Sequence, residues 1–175
     1  MIRVESLFKA EKQVSSIEEP LSHLMACHRR IEERLDTMHR AAAQLEDNRA
    51  AALDAFRSAF EFLETSGALH TADEEESLFP RLRLLMEPGE HSYLASLEHD
   101  HAEAGRLYAE LKASFDQPDE IVKTRGLVER LTALYRQHIA SEDDALQAYA
   151  MQLLRREELT AIANEMKLRR GWVRP

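Results

Sequence analysis

Residues 20–45 read PLSHLMACHRRIEERLDTMHRAAAQL, and their spacing decides the fold. Leu21, Leu24, His28, Ile31, Leu35, Met38, Ala42 and Leu45 recur at spacings of three and four. Residues so spaced stack on one face of a helix, so this is the apolar stripe of a long amphipathic helix. Pro20, preceded by Glu18 and Glu19, suits its start: proline is tolerated in the first turn, and acids favour the positive end of the helix dipole. Asp47-Asn48 is the expected break.

The pattern returns three times. From about Arg49, Phe56, Ala59, Phe60 and Leu63 form a second stripe, which Gly67 interrupts and Leu69, His70, Glu74 and Leu78 continue. Pro80 is expected to bend this helix, and Glu87-Pro88-Gly89 to end it. A third stripe runs through Leu94, Leu97, His101, Ala104, Tyr108, Leu111 and Phe115 to a breaker at Asp116-Gln117-Pro118-Asp119. The fourth carries Leu127, Leu131, Leu134, His138, Glu142 and Ala145 toward Leu153, and a short helix, Glu157 to Leu168, precedes a basic tail. Four long helices with short connections predict an all-α, up-down-up-down four-helix bundle over residues 18–170, with an arm at 1–17 and a tail at 171–175.

Composition narrows the function classes. The 175 residues carry 23 Lys and Arg against 32 Asp and Glu, a formal charge of −9. That excess of acid argues against a nucleic-acid surface and offers nothing to an anionic membrane. Five Gly and five Pro leave little material for the turns of a sandwich or barrel. The single cysteine, Cys27, excludes an intrachain disulfide framework and fits a reducing compartment. The residues from Met1 to Ser6 lack a signal-peptide pattern, and no apolar run has the length of a membrane span. These features point to a cytoplasmic protein.

The outstanding number is eight histidines. One of them interrupts each apolar stripe: His28, His70, His101 and His138. Glu74 and Glu142 follow His70 and His138 by four residues and therefore share their faces, an internal repeat that pairs the two halves of the chain. Each residue adds about 1.5 Å to a helix, and the legs between these positions and the helix breaks nearly cancel. All four helices thus bring their inward polar residues to one level, as four imidazoles and two carboxylates. Such a layer is costly to bury unless something pairs it. Two bridging carboxylates capped by imidazoles suit a dinuclear iron or manganese site, and zinc less, since closed zinc sites favour four ligands and thiolates.

The stretches Ala26-Cys27-His28-Arg29-Arg30-Ile31-Glu32, His70-Thr71-Ala72-Asp73-Glu74-Glu75-Glu76-Ser77-Leu78-Phe79-Pro80, Asp100-His101-Ala102-Glu103 and His138-Ile139-Ala140-Ser141-Glu142-Asp143 resemble the bacterial hemerythrin-like, or HHE cation-binding, domain. The resemblance covers about residues 18–170. It implies a bundle holding two non-haem irons, with oxygen, nitric oxide, peroxide or iron handling as family functions. Its ligands would be His28, His70, Glu74, His101, His138 and Glu142. Three departures stand out. Oxygen carriers of the family place a second histidine four residues after the third-helix ligand, where this chain has Gly105. They space the fourth-helix carboxylate by five residues rather than four. The Leu-Phe-Pro that often follows the last ligand is replaced by Asp144-Ala145-Leu146-Gln147. A four-histidine site is less like a reversible oxygen carrier and more open to a substrate.

Other residues compete for roles. His99 with Glu103 has ligand spacing, but His101 occupies the stripe position. Glu32, four residues after His28, sits at the stripe edge and reads as a surface residue. His39 reads as a hydrogen-bonded residue at the core edge, His23 and His91 as surface or turn residues, and Cys27 as a small buried thiol. Tyr108 and Tyr135 lie one or two turns from ligands, where they either bond the site or simply pack. In the run Asp73-Glu74-Glu75-Glu76 only Glu74 is expected to point inward, the rest forming a solvated face. The expected function is a di-iron protein that binds, senses or detoxifies a small diatomic or peroxide ligand, or handles iron. The alternative is a metal-free helical interaction module in which the polar layer specifies the core. No catalytic residue is assigned beyond the ligand set.

Overall fold

The computed structural model describes residues 17–115 and 121–172. The first sixteen residues of the arm, the Asp116-Gln117-Pro118-Asp119 breaker and Val173 to Pro175 lie outside them. Among the described residues there is no strand, and the helices form five rods. The first is α1 (Pro20–Ala43). The second, over 49–85, joins α2 (Arg49–Phe62), α3 (Ala68–Asp73) and α4 (Phe79–Leu85) through π turns at Leu63–Gly67 and Glu74–Leu78. A 3-10 turn, Pro88–Glu90, leads into the third, α5 (His91–Ser114). The fourth, over 121–153, joins α6 (Ile121–Ser141) and α7 (Gln147–Leu153) through a π turn at Glu142–Leu146. The fifth is α8 (Arg156–Arg169).

Local chemistry marks the ends. Pro20 stands in the first turn of α1, and Asn48 Oδ1 accepts from the Ala51 N–H at 3.3 Å to open α2. Pro80 does not break the second rod. It has no N–H to offer the Glu76 carbonyl, and it follows a π turn in which the Phe79 N–H bonds the Glu74 carbonyl five residues back. The bend expected at Pro80 is therefore a widened turn that begins on Glu74.

Pairs between rods give their directions. Arg136 meets Asp36 at 2.7 Å and Asp143 meets His28 at 2.6 Å, so the fourth rod runs antiparallel to α1. Arg83 meets Glu98 at 2.8 Å and Glu75 meets His101 at 2.8 Å, which sets the second rod antiparallel to α5. α8 runs antiparallel to the second rod, with Glu165 on Arg81 and Arg169 on Asp73, both at 2.7 Å.

The interior divides into two apolar clusters. One contains Ile31, Leu35, Met38, Phe56, Leu111 and Leu131. The other contains Leu24, Phe79, Leu82, Leu94 and Leu97, and α8 closes it with Ile162 and Met166. Along the four long rods the stripe histidine falls at the border of the two clusters: His70 and His101 lie between their members, and His28 and His138 lie one residue inside the first cluster, beside Cys27 and Ile139. Among the described residues no helix is long and apolar enough to cross a membrane.

Candidate metal centre

The layer between the two clusters holds all six residues singled out by spacing. His28, His70, Glu74, His138 and Glu142 are buried, and the His101 side chain is 9% exposed. Two overlapping groups form: His28, His70, Glu74 and Glu142, and Glu74, His101, His138 and Glu142. In each group the candidate ligand atoms lie within 4.8 Å of one another, close enough to hold a metal ion. Both carboxylates belong to both groups. The rings pair accordingly, with centroids 4.7 Å apart for His28 and His70 and 4.5 Å apart for His101 and His138.

The atoms facing the centre are the Nε2 nitrogens and the carboxylate oxygens. His70 Nε2 stands 3.2 Å from Glu74 Oε1, and His101 Nε2 stands 3.4 Å from Glu74 Oε2. His28 Nε2 and His138 Nε2 stand 3.2 and 3.1 Å from Glu142 Oε2. These approaches are electrostatic rather than aligned. Nε2 of His28, His101 and His138 and all four oxygens of Glu74 and Glu142 have no hydrogen-bond partner among the described residues. Buried polar atoms left in that state are rare and call for a ligand.

Three rings are oriented from behind. His28 Nδ1 lies 2.6 Å from Asp143 Oδ1, His101 Nδ1 lies 2.8 Å from Glu75 Oε1, and His138 Nδ1 lies 3.4 Å from Asp100 Oδ2. A carboxylate at Nδ1 places the proton there and leaves the Nε2 lone pair facing inward, the arrangement that metal-binding histidines use. Arg29 in turn holds the second oxygen of Asp143 at 2.5 Å.

Charge in the layer is strongly coupled. Burial opposes the ionised form of Glu74, but His70, His101 and His28 overcome it and hold the carboxyl below its ordinary range. Burial likewise opposes the His28 cation, yet the Glu142 and Glu74 carboxylates outweigh it and push the ring up to about 10. Glu74 and Glu75 overcome burial at His101 and push it to about 9. Burial dominates at His70 and holds that imidazole below its ordinary range.

Two small cavities reach the layer. One, of about 20 Å³, touches His28, Glu74 and Glu142 and is walled by Leu21, Leu24, Met25, Leu78 and Leu146. The other, of about 10 Å³, lies against His70, His101, His138 and Tyr135. Each is near the size of a single water.

The structure separates the competitors. His99 is exposed, and Glu103 is engaged by Arg106 at 2.8 Å. Glu32 bonds Arg29 on the outer side of α1. Cys27 is buried, and burial pushes its thiol up to about 11. Tyr135 lines the smaller cavity, whereas Tyr108 donates to Glu64 and packs on Phe60 away from the centre. Three expectations need correction. His23 is buried rather than superficial. His39 is exposed rather than at the core edge. Asp73 is not on a solvated face: it is completely buried and paired with Arg169 and Arg170, so the start of the basic tail folds back onto the bundle.

The orienting carboxylates Glu75, Asp100 and Asp143 were missed by sequence reasoning. Each is a chain neighbour of a predicted ligand, namely Glu74, His101 and Glu142. That adjacency was the available signal, hidden because it looks like ordinary surface acid. No curated relative matches the chain. The model of the hemerythrin HHE cation binding domain matches residues 19–150, which span every residue of the layer, and the chain therefore belongs to that family.

Proposed function

We propose that the layer holds two iron ions and that the loaded centre binds a small diatomic or peroxide ligand. His28 and His70 would serve one ion, His101 and His138 the other, with Glu74 and Glu142 shared between them. The observation that carries this reading is the set of unpartnered Nε2 and carboxylate atoms converging from four helices in a buried layer. Imidazole with carboxylate suits iron or manganese, and the absence of thiolate from the set makes zinc the weaker fit. When bound, the metal pair supplies redox-active positions for a small ligand.

The chain's own residues prepare that site. Asp143, Glu75 and Asp100 fix three rings, while Leu24, Leu78 and Leu146 keep bulk water from the His28 side. The 20 Å³ cavity beside His28, Glu74 and Glu142 has room for a molecule of water size. Without metal, protons on His28 and His101 balance Glu74 and Glu142, so loading displaces protons and strengthens as pH rises through neutrality.

Expression with supplemented iron tests the reading. Metal analysis is expected to return about two irons per chain, with near-ultraviolet charge-transfer absorption that responds to oxygen, nitric oxide or peroxide. Chelation is expected to lower the melting temperature of the wild type but not of Glu74→Ala. Protein without transition metal, with a melting temperature indifferent to chelator, would instead favour a metal-free interaction module.

A further inference from the structure

The turn that carries Glu74 is held from outside the four long rods. Asp73, the residue before it, is fully buried, and a buried carboxylate persists only when paired. Both of its oxygens are taken by the end of α8. Arg170 spans them with Nη2 at 2.6 Å from Oδ2 and Nη1 at 3.1 Å from Oδ1, and Arg169 Nη1 adds a contact at 2.7 Å. The same Arg169 reaches into the turn itself, bonding Glu76 through Nε at 3.0 Å and the buried Ser77 hydroxyl through Nη2. One helical turn on, Arg81 donates to the Ser77 carbonyl at 2.8 Å and is itself clasped by Glu165 of α8. The Arg169 and Arg170 side chains are largely buried, 17% and 10% exposed.

The turn that carries Glu142 is held differently. Tyr93 of α5 donates to the Ser141 carbonyl at 2.9 Å, a support from within the four long rods. The two shared carboxylates are thus braced by different parts of the molecule. The brace on Glu74 lies beyond the family match, which ends at residue 150. It is also attached through an extended joint, Leu154 and Arg155, with ψ of 133° and 167°.

We propose that α8 positions Glu74 through the grip of Arg169 and Arg170 on Asp73, Glu76 and Ser77, so that docking of α8 and occupancy of the metal centre are coupled. The inference rests on the metal reading above. Coupling of this kind is reciprocal: metal tightens the seating of α8, and a loosened α8 weakens the metal. Arg169 and Arg170 touch no ligand atom and act as positioning residues. Lysine at 170 keeps the charge beside Asp73 but cannot span both oxygens, so it separates simple charge pairing from geometric bracing.

The test titrates Co²⁺ into chelator-treated full-length protein and follows ligand-field absorption. Arg170→Lys is expected to lower Co²⁺ affinity by about tenfold and to shift the ligand-field band, while the metal-free melting temperature stays within a few degrees of wild type. Should that variant not fold, Arg169→Lys makes the same comparison, keeping the charge but losing the fork that reaches Asp73, Glu76 and Ser77 together. Limited proteolysis supplies the second readout. Co²⁺ is expected to slow cleavage at the 154–155 joint more than cleavage in the 44–48 connection, and Arg170→Lys to erase that difference. Wild-type protein that binds Co²⁺, with variants of unchanged affinity, band and cleavage, would overturn the coupling alone. Wild-type protein that binds no Co²⁺ would overturn the metal reading and the coupling with it.

Discussion

Replacing Asp143 with alanine should weaken metal binding more than removing either of the other orienting carboxylates. Asp143 Oδ1 lies 2.6 Å from His28 Nδ1, the His28 side chain is only 3% exposed, and Arg29 fixes the second oxygen at 2.5 Å. A charge-assisted bond of this kind contributes about 1.5–3 kcal/mol, which at about 1.4 kcal/mol per tenfold amounts to about 10–100-fold in affinity. Glu75 approaches His101 at 2.8 Å, but its side chain is 39% exposed and water competes for it. Its removal should cost only about threefold, in the range of exposed ion pairs. Asp100 stands 3.4 Å from His138, beyond a strong bond, and its loss should be smallest. Competition between each alanine variant and a calibrated chelator for Fe²⁺ or Co²⁺ measures the series. Asp143→Ala within twofold of wild type, or Asp100→Ala as the most damaging change, would refute the argument that Nδ1 partners set the ring positions.

Three further outcomes follow from the same geometry. In chelator-treated protein, His28 at about 10 and His101 at about 9 both stand above the ordinary 6.5. Their stabilisation is complete below pH 6.5 and is lost as pH climbs through 9 and 10, so the melting temperature should fall across that window; a flat profile contradicts the pairing. Phe79 is fully buried, and its ring lies parallel to His101 with centroids 6.1 Å apart. Phe79→Ala should cost about 3–5 kcal/mol in urea unfolding, and a loss below about 1 kcal/mol would mean that the second cluster closes over the gap. At Gly105 an added Cβ meets nothing within 4 Å, so Gly105→Ala should stabilise α5 by about 0.5–1 kcal/mol, whereas a destabilised variant would show that the position is crowded.

How much was legible follows the range of each signal. Helical periodicity is local and strong, so the long helices and the stripe positions of His28, His70, His101 and His138 were readable from spacing alone. The π turns were not, because a period averaged over several turns is blind to one extra residue. They matter nonetheless, since Glu74 and Glu142 each open one, and the residue after each then reaches a histidine on another rod: Glu75 to His101 and Asp143 to His28. Asp73 defeated the reading for a different reason. Its burial depends on arginines nearly a hundred residues away, and nothing within its own helix marks it as paired. His39 shows the opposite error, in which a stripe extrapolated along an ideal cylinder overlooks the edge of the packed face.

Charge neutrality alone does not account for the layer. Two imidazolium ions at His28 and His101 are enough to cancel Glu74 and Glu142, so protons can meet the electrostatic demand. They do not meet the directional one. A proton placed on Nε2 of His28 converts one lone pair into a donor 3.2 Å from Glu142 Oε2 and 3.7 Å from Glu74 Oε1, without the alignment a good bond requires. The opposing ring of that pair, His70, stands 3.2 Å from Glu74 Oε1, and burial holds it below the ordinary histidine range. A metal ion bound there would accept lone pairs from both rings and both carboxylates at once, which a single proton cannot do. The Nδ1 carboxylates sharpen the distinction. Asp143, Glu75 and Asp100 hold a proton on the outer nitrogen of three rings, which leaves the inner nitrogen as an acceptor, the form a metal takes. A layer selected only to pair imidazolium with carboxylate has no need of acceptors facing acceptors. On the proposed metal reading protons compete with the metal for this layer rather than replace it, and proton release on loading is the measurable trace of that exchange.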